Sequence, residues 1–272
     1  MRRPRVAVVQ FPGVNCERES ARALERSGLE AEVFGWTRAA SELHDFDAYL
    51  IPGGFSYQDR VRGGALAAKD PLLEALAAAA ERGKPVLGIC NGAQVLVEAG
   101  LVPGGEHVEL ALAGNRMPDR SGYFARWIYV RIEASACVFT RHLPVGTLLP
   151  LPIAHGEGRF TSRDPDRLAA LGAAGQVPLR YVRADGTPAA GFPANPNGAE
   201  FDAAAVCNAR GNVLAIMPHP ERALNAGGLG RAVAGEWAAH RDRARASGEA
   251  DAAGPGLSLF EGLQRHLVAE RT

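Results

Sequence analysis

No stretch of the 272-residue sequence approaches the roughly 18 consecutive apolar residues needed to cross a bilayer. A charge of one sign is missing as well. Thirty basic residues balance thirty acidic ones, so no global field draws the chain to nucleic acid or an anionic membrane, and partners must be recognised by local surfaces. The four cysteines, Cys16, Cys90, Cys137 and Cys207, form no C-x-x-C pair and have no histidine at zinc-finger spacing. That argues against a metal site and a disulfide framework, and for reduced thiols. There is no G-x-x-x-x-G-K-S/T phosphate loop, and Gly156-x-Gly158 neither follows a clear strand nor completes a nucleotide fingerprint. No cofactor is therefore expected in this chain. Met1-Arg2-Arg3-Pro4 is basic like the start of a signal peptide, but the apolar run from Val6 to Phe11 includes Gln10 and ends at Pro12-Gly13, which reads as a first strand. Cytoplasm is the expected compartment.

What is present is enough for a sizeable core: 47% of the residues are hydrophobic. We read residues 1–272 as one α/β domain. Its first hundred residues alternate short β-branched runs with Ala/Leu-rich stretches at helical period, the pattern of a parallel sheet with helices on its faces. Strands are predicted at Arg5–Phe11, Ala31–Trp36, Ala48–Ile51 and Pro85–Ile89, and helices at Glu17–Ser27, at Leu66–Arg82 and from Asn91. Gly28 and Gly83 suit the helix ends. The second half offers strands at Phe124–Glu133, Val177–Val182, Ala203–Asn208 and Val213–Met217, with turns such as Asn197-Gly198 that imply added antiparallel strands. Two helices are expected beyond them, near Gly230–Arg245 and Leu259–Glu270. Residues 231–256 read as a peripheral helix and linker, with a flexible connection at Ser247–Gly256.

The strongest local signal is Gly88-Ile89-Cys90-Asn91-Gly92, where an apolar strand runs into a helix. This G-x-C-x-G pattern is that of a nucleophile elbow: the turn is strained, and larger side chains beside it would collide. A thiol there sits at a helix N-terminus, where backbone N–H groups and the dipole favour thiolate. A cysteine in general more often closes a buried strand as a small apolar residue, but paired elbow glycines weigh against that role here.

A thiol nucleophile needs a base. In Met217-Pro218-His219-Pro220-Glu221-Arg222 the prolines hold Met217 and His219 extended, so that His219 and Glu221 should project in a similar direction. Glu221 could then orient the imidazole toward a thiol, as in a nucleophile, base and acid triad; without Cys90 a solvated loop would explain the segment equally well. Acyl transfer also needs donors for an oxyanion. Gly53-Gly54-Phe55 after the third strand, and the N–H of Asn91, could supply them, although glycine pairs are also ordinary turn residues. Gln94, one turn after Cys90, either points back over the pocket or is simply a polar residue of the first helical turn.

Together with Phe11-Pro12-Gly13-Val14-Asn15-Cys16, Pro52 to Tyr57, Pro152 to Gly158 and Asn195-Pro196-Asn197-Gly198, these segments resemble the class I glutamine amidotransferases, and within them the glutaminase subunits of phosphoribosylformylglycinamidine synthases. The resemblance covers nearly the whole chain. It implies a flavodoxin-like fold, a mostly parallel central sheet with helices on both faces and added antiparallel strands. It further implies that Cys90 forms a γ-glutamyl thioester, His219 shuttles protons, Glu221 orients it, and Gly53, Gly54, Phe55, Asn91 and Gln94 serve the oxyanion and glutamine pocket. Ammonia would pass to a large synthetase subunit, with a small third subunit left open, and ATP and magnesium would act on that partner to convert formylglycinamide ribonucleotide to its amidine in purine biosynthesis. Another ammonia-using synthetase is the first alternative. An elbow-type hydrolase or deglycase is the second, disfavoured because such enzymes place histidine directly after the nucleophile, where this chain has Asn91. Gln58 stands where the family commonly has glycine, which puts the local turn in doubt. The loop His155-Gly156-Glu157-Gly158-Arg159 is placed near the glutamine pocket or a partner surface, outside the catalytic set.

Overall fold

The computed structural model describes residues 2–105 and 107–271; Met1, Glu106 and Thr272 lie outside them. Its main sheet has nine strands in the order β2-β1-β3-β4-β11-β10-β9-β6-β7. The strands are β1 (Arg5–Gln10), β2 (Glu30–Gly35), β3 (Ala48–Ile51), β4 (Val86–Ile89), β6 (Phe124–Ile132), β7 (Leu148–His155), β9 (Leu179–Val182), β10 (Ala203–Cys207) and β11 (Val213–Ile216). β2, β1, β3, β4 and β11 run parallel, and β10, β9, β6 and β7 extend the sheet in antiparallel fashion. The expected fold is thus observed. β3, β4 and β11 are buried at every residue, as strands covered on both faces must be. A separate antiparallel pair joins β5 (Leu110–Gly114) to β8 (Glu157–Ser162).

Helices α1 (Glu17–Arg26), α2 (Pro71–Glu81) and α3 (Asn91–Glu98) connect the parallel strands. α2 starts later than its Ala-rich sequence suggested. Pro71 excludes helical geometry from Asp70, which is extended (φ −71°, ψ 140°) and caps the helix by accepting from Leu72 N–H at 2.9 Å; only a short 3-10 turn precedes it. The later helices are α4 (Arg167–Ala173), α5 (Gly235–Ala246) and α6 (Leu257–Ala269).

Several elements correct the sequence reading. α4 is a third helix where two were expected, too short to show a clear period. β7 was missed because Pro150 and Pro152 interrupt it; it is the last strand of the sheet, where a missing N–H on the open side breaks no ladder. It runs directly into Gly156, so that glycine does follow a strand. The segment 247–256 is no loose connection. Ala252 O, Ala250 O and Leu224 O accept from Ala226, Gly227 and Gly254 N–H at 2.7, 3.0 and 2.7 Å, and Asn225 Nδ2 donates to Asp251 at 2.8 Å. Its Gly and Ala content reflects close backbone contact rather than freedom. α5 buries only Ala244 along its length, and its Trp237 indole donates to Leu148 O at 3.0 Å, over the start of the β7 edge.

Among the described residues no helix is long and apolar enough to cross a membrane.

Candidate active site

The carboxyl ends of the parallel strands converge, the position at which open α/β sheets bind ligands. β3 delivers Gly53 and Gly54, β4 delivers Cys90, and β11 delivers His219. The Cys90 backbone has φ 51° and ψ −105°, the strained conformation expected of an elbow. Its N–H donates to Ile216 O at 2.8 Å, which fastens the turn to β11. The glycines are needed for contact in different ways. A β-carbon on Gly88 would lie 2.5 Å from Gly92 O, across the bend; one on Gly92 would lie 1.9 Å from Ile51 O, in the neighbouring strand.

His219 is 2% exposed and Glu221 3%. The prolines act differently from the extended pair expected. His219 (φ −105°, ψ 84°) precedes a 3-10 turn, Pro220–Arg222, and its N–H donates to Pro152 O of β7 at 2.8 Å. The turn still brings His219 Nδ1 to 2.5 Å from Glu221 Oε1. Burial opposes a charge on the imidazole, but the negative charges of Glu221 and Cys90 outweigh it and lift its pKa to about 10. His219 Nε2 has no hydrogen-bond partner among the described residues.

Gly53 is where these groups meet. A β-carbon on it would stand 2.9 Å from His219 Cε1, 3.2 Å from Cys16 Sγ and 3.6 Å from Cys90 Cβ. A side chain at Gly53 would therefore crowd His219 and both cysteines at once. Cys90, His219, Gly54, Phe55 and Gln94 all border one cavity of about 230 Å³, a volume fit for an amino acid rather than a nucleotide. Phe55 is 45% exposed, and its N–H is engaged by Gly13 O at 3.0 Å.

Asn91 and Gln94 are tied inward. Asn91 Oδ1 accepts from Ser56 N–H at 2.9 Å, while Asn91 Nδ2 donates to Asp59 at 3.1 Å and to Gln94 Oε1 at 2.8 Å. Gln94 Nε2 donates to Glu157 O at 2.7 Å. Both side chains thus brace the loop after β3 against β8. That loop holds Tyr57, Gln58 and Asp59 at φ 52°, 60° and 50°, so a left-handed turn forms with Gln58 in it.

The sequence reading did not assign roles to Cys16, Asp59, Tyr123 and Arg222, which also border the cavity. Donor atoms of Cys16, His219 and Glu221 lie within 4.8 Å of one another. Burial, then the charge of Glu221, pushes the Cys16 thiol up to about 12, and Arg222 Nη2 donates to its sulfur at 3.0 Å. Burial and the charge of Glu157 raise Asp59 to about 6, against a hydrogen bond from Asn91. Cys16 and Arg222 lie inside quoted motifs and Asp59 just after one, whereas Tyr123 stands near none of them. Of the His155 loop, His155 and Glu157 reach the cavity, whereas Arg159 turns away to donate to Gly114 O at 3.2 Å.

With this geometry in hand, comparison with known proteins is decisive. A family model described as a CobB/CobQ-like glutamine amidotransferase domain matches residues 3–264. Phosphoribosylformylglycinamidine synthase subunit PurQ of Methanothrix thermoacetophila is 41% identical over 275 residues, covering 98% of this chain and 100% of that one. The chain belongs to this glutamine amidotransferase family. A second family member, subunit PurQ of Thermomicrobium roseum, is 48% identical over 222 residues, 81% of this chain and 88% of that one. The solved structure of PurLQS from Thermotoga maritima includes a chain matched with a TM-score of 0.72 at 32% identity, over 98% of this chain and 100% of that chain.

Proposed function

We propose that the chain is the glutaminase component of phosphoribosylformylglycinamidine synthase, hydrolysing glutamine to glutamate and ammonia through Cys90, His219 and Glu221. Membership of the family of PurQ subunits supports the overall activity. The observation that carries the mechanism is the 2.5 Å contact of His219 Nδ1 with Glu221, on a cavity that also holds Cys90 at a strained elbow.

The steps follow from charge. With His219 holding the proton of the pair, the Cys90 sulfur attacks the γ-carbonyl carbon of glutamine. The carbonyl π pair moves to oxygen, where the N–H groups of Gly54 and of Asn91, the latter at the start of α3 with no intrahelical acceptor, stabilise it. The tetrahedral adduct collapses, breaking the C–N bond as His219 Nε2 gives its proton to the departing nitrogen, so that ammonia leaves and a γ-glutamyl thioester remains. The now neutral His219 takes a proton from water, which attacks the thioester and releases glutamate, with the Cys90 sulfur free and His219 again holding the proton. Throughout, Glu221 holds the imidazole by Nδ1 and stabilises its charged form.

Ammonia then passes to the large synthetase subunit. That partner uses ATP and magnesium to convert formylglycinamide ribonucleotide to the amidine in purine biosynthesis, in the cytoplasm. The absence of a phosphate loop from this sequence accords with ATP being handled by the partner.

The test is ammonia release from glutamine by the chain with its synthetase partner, comparing Cys90→Ala with the unaltered protein. Release should disappear in the variant, and undiminished release would falsify the assignment of Cys90. Failure to transfer ammonia to formylglycinamide ribonucleotide, with transfer to another acceptor, would reassign the pathway.

A further inference from the structure

We propose that residues 13–16 form a clasp that sets the oxyanion donor: the main-chain N–H groups of Asn15 and Cys16 hold Gly53 O, so that Gly54 N–H stays turned toward Cys90. This rests on the glutaminase reading above and adds Asn15 and Cys16 as positioning residues, through their backbone and not through the Cys16 thiol.

The clasp is a short antiparallel bridge beyond the ends of two parallel strands, β1 and β3. Val14, after β1, stands opposite Gly54, after β3. Asn15 and Cys16 N–H both donate to Gly53 O, at 3.3 and 3.2 Å, and Phe55 N–H donates to Gly13 O at 3.0 Å. Bonds placed in this way flank a non-hydrogen-bonded pair, whose two members turn their own N–H and C=O away from each other. Gly54 N–H therefore faces away from Val14.

The next residues show what lies on that far side. Along the loop the donors alternate: Phe55 and Tyr57 N–H go to Gly13 O and Pro12 O, at 3.0 and 2.7 Å, whereas Ser56 N–H goes to Asn91 Oδ1 at 2.9 Å. Gly54 N–H shares the direction of Ser56 N–H, toward the residue that follows Cys90. Sheet order agrees, since β1 flanks β3 on one side and β4, which delivers Cys90, flanks it on the other. Gly54 and Cys90 border the same cavity, and Gly54 N–H donates to none of the described residues. The peptide between Gly53 and Gly54 is trans, so its C=O and N–H point in opposite directions. Holding Gly53 O from one side thus aims Gly54 N–H to the other, and rotation of this peptide would take the donor out of the site.

Two glycines are forced by the closeness of the clasp. A β-carbon on Gly13 (φ 90°) would lie 2.2 Å from Phe55 O, and one on Gly54 (φ 148°) would lie 2.6 Å from Val14 Cα.

The test is made in the complex with the synthetase partner. Cys16→Pro removes one of the two N–H groups on Gly53 O. An oxyanion donor acts on charge that develops only in the transition state, so kcat for glutamine should fall about 10- to 100-fold while KM changes less than about 3-fold. Glutamate γ-semialdehyde accepts the Cys90 sulfur at its carbonyl carbon and moves the carbonyl pair onto oxygen. Its affinity should fall by the same factor as kcat. Cys16→Ala, which returns the N–H without the thiol, should recover most of the activity. A loss carried by KM, a loss of kcat with aldehyde affinity unchanged, no loss at all, or Cys16→Ala as impaired as Cys16→Pro each overturns the proposal. Should proline prevent folding, Gly13→Ala pries the clasp from its other end at Phe55 O, and the same split between kcat and KM is expected; its absence overturns the proposal. Ammonia release that survives Cys90→Ala is a separate result, which sinks the glutaminase reading itself.

Discussion

Asp59→Asn is expected to stabilise the protein at neutral pH and to have little effect near pH 4. Asp59 sits half-buried on the left-handed loop after β3, with Oδ1 accepting from Asn91 Nδ2 at 3.1 Å. Burial and Glu157 lift its carboxyl from 3.8 to about 6. A raised carboxyl pKa means that the folded state holds the proton more tightly than the unfolded chain. Stability from this group is therefore greatest below pH 3.8 and declines as pH climbs toward 6. At about 1.36 kcal/mol per pH unit the full interval would be about 3 kcal/mol, and water reaching the half-buried side chain reduces this to about 1 kcal/mol. Asparagine has the same shape, keeps an oxygen for Asn91, removes the charge facing Glu157 and tolerates left-handed geometry better than most residues. The gain corresponds to a rise in melting temperature of roughly 2 to 4 °C at pH 7 for a chain of this size. Calorimetric melts of both proteins from pH 4 to 8 decide the matter. A gap that is constant with pH, or that widens toward acid, would refute the charge argument. If Asp59 also meets the α-ammonium of glutamine, the stabilised variant should show a raised KM with kcat less affected.

Two further outcomes follow from the same site. Gln58→Gly relieves one left-handed residue (φ 60°) and should raise stability by up to about 1 kcal/mol in a urea titration, the relief being partly offset by greater freedom of the unfolded chain; a loss of stability would mean that the Gln58 side chain holds the turn. Glu221→Gln removes the charge that outweighs burial at His219, so the imidazole pKa should drop from about 10 in a histidine NMR titration and glutamine hydrolysis should fall on the order of 10³-fold. With a folded pKa raised above the ordinary 6.5, the contribution of His219 to stability is complete below pH 6.5 and is lost as pH approaches 10. The unaltered protein should accordingly lose more stability than Glu221→Gln between pH 7 and 10, and parallel curves would contradict the assignment.

The parallel half of the sheet was legible because each of its strands is a short apolar run next to a helix with its own period, and the elbow was legible because its glycines are forced by contacts four residues, or one strand, away. The His219–Glu221 pair was found for a partly mistaken reason. Prolines do fix the segment, but as a 3-10 turn, and the 2.5 Å contact depends on a carbonyl from β7, Pro152 O, holding the His219 N–H. β7 itself was hidden by Pro150 and Pro152, whose usual effect on a strand is cancelled only by an edge position that sequence does not display. The His155 loop was still placed near the glutamine pocket from its motif, and His155 and Glu157 do border the cavity, but the strand that carries it there was not seen. What escaped sequence reading was the bonding that closes the pocket, from Gln94 to Glu157 O and from Asn115 to His155.

That division has a physical origin. The elbow is a local device: strand, strained residue and helix are consecutive, and their requirements are written in consecutive residues. The pocket around it is closed by long-range bonds, from Gln94 to Glu157 O, from Glu157 Oε2 to Gly63 N–H at 3.0 Å, and from Asn115 to His155. They join α3, the loop after β3 and the end of β5 to the β7–β8 turn, so the position of the glutamine pocket wall is set by tertiary closure. The left-handed run at Tyr57, Gln58 and Asp59 is held by the same bonds: Asn91 fastens Ser56 and Asp59, and Glu157 fastens Gly63. Loosening the β7–β8 turn should therefore release backbone strain in the loop after β3 and dismantle the pocket wall in one event, leaving the Cys90 elbow intact but without a substrate-shaped space beside it.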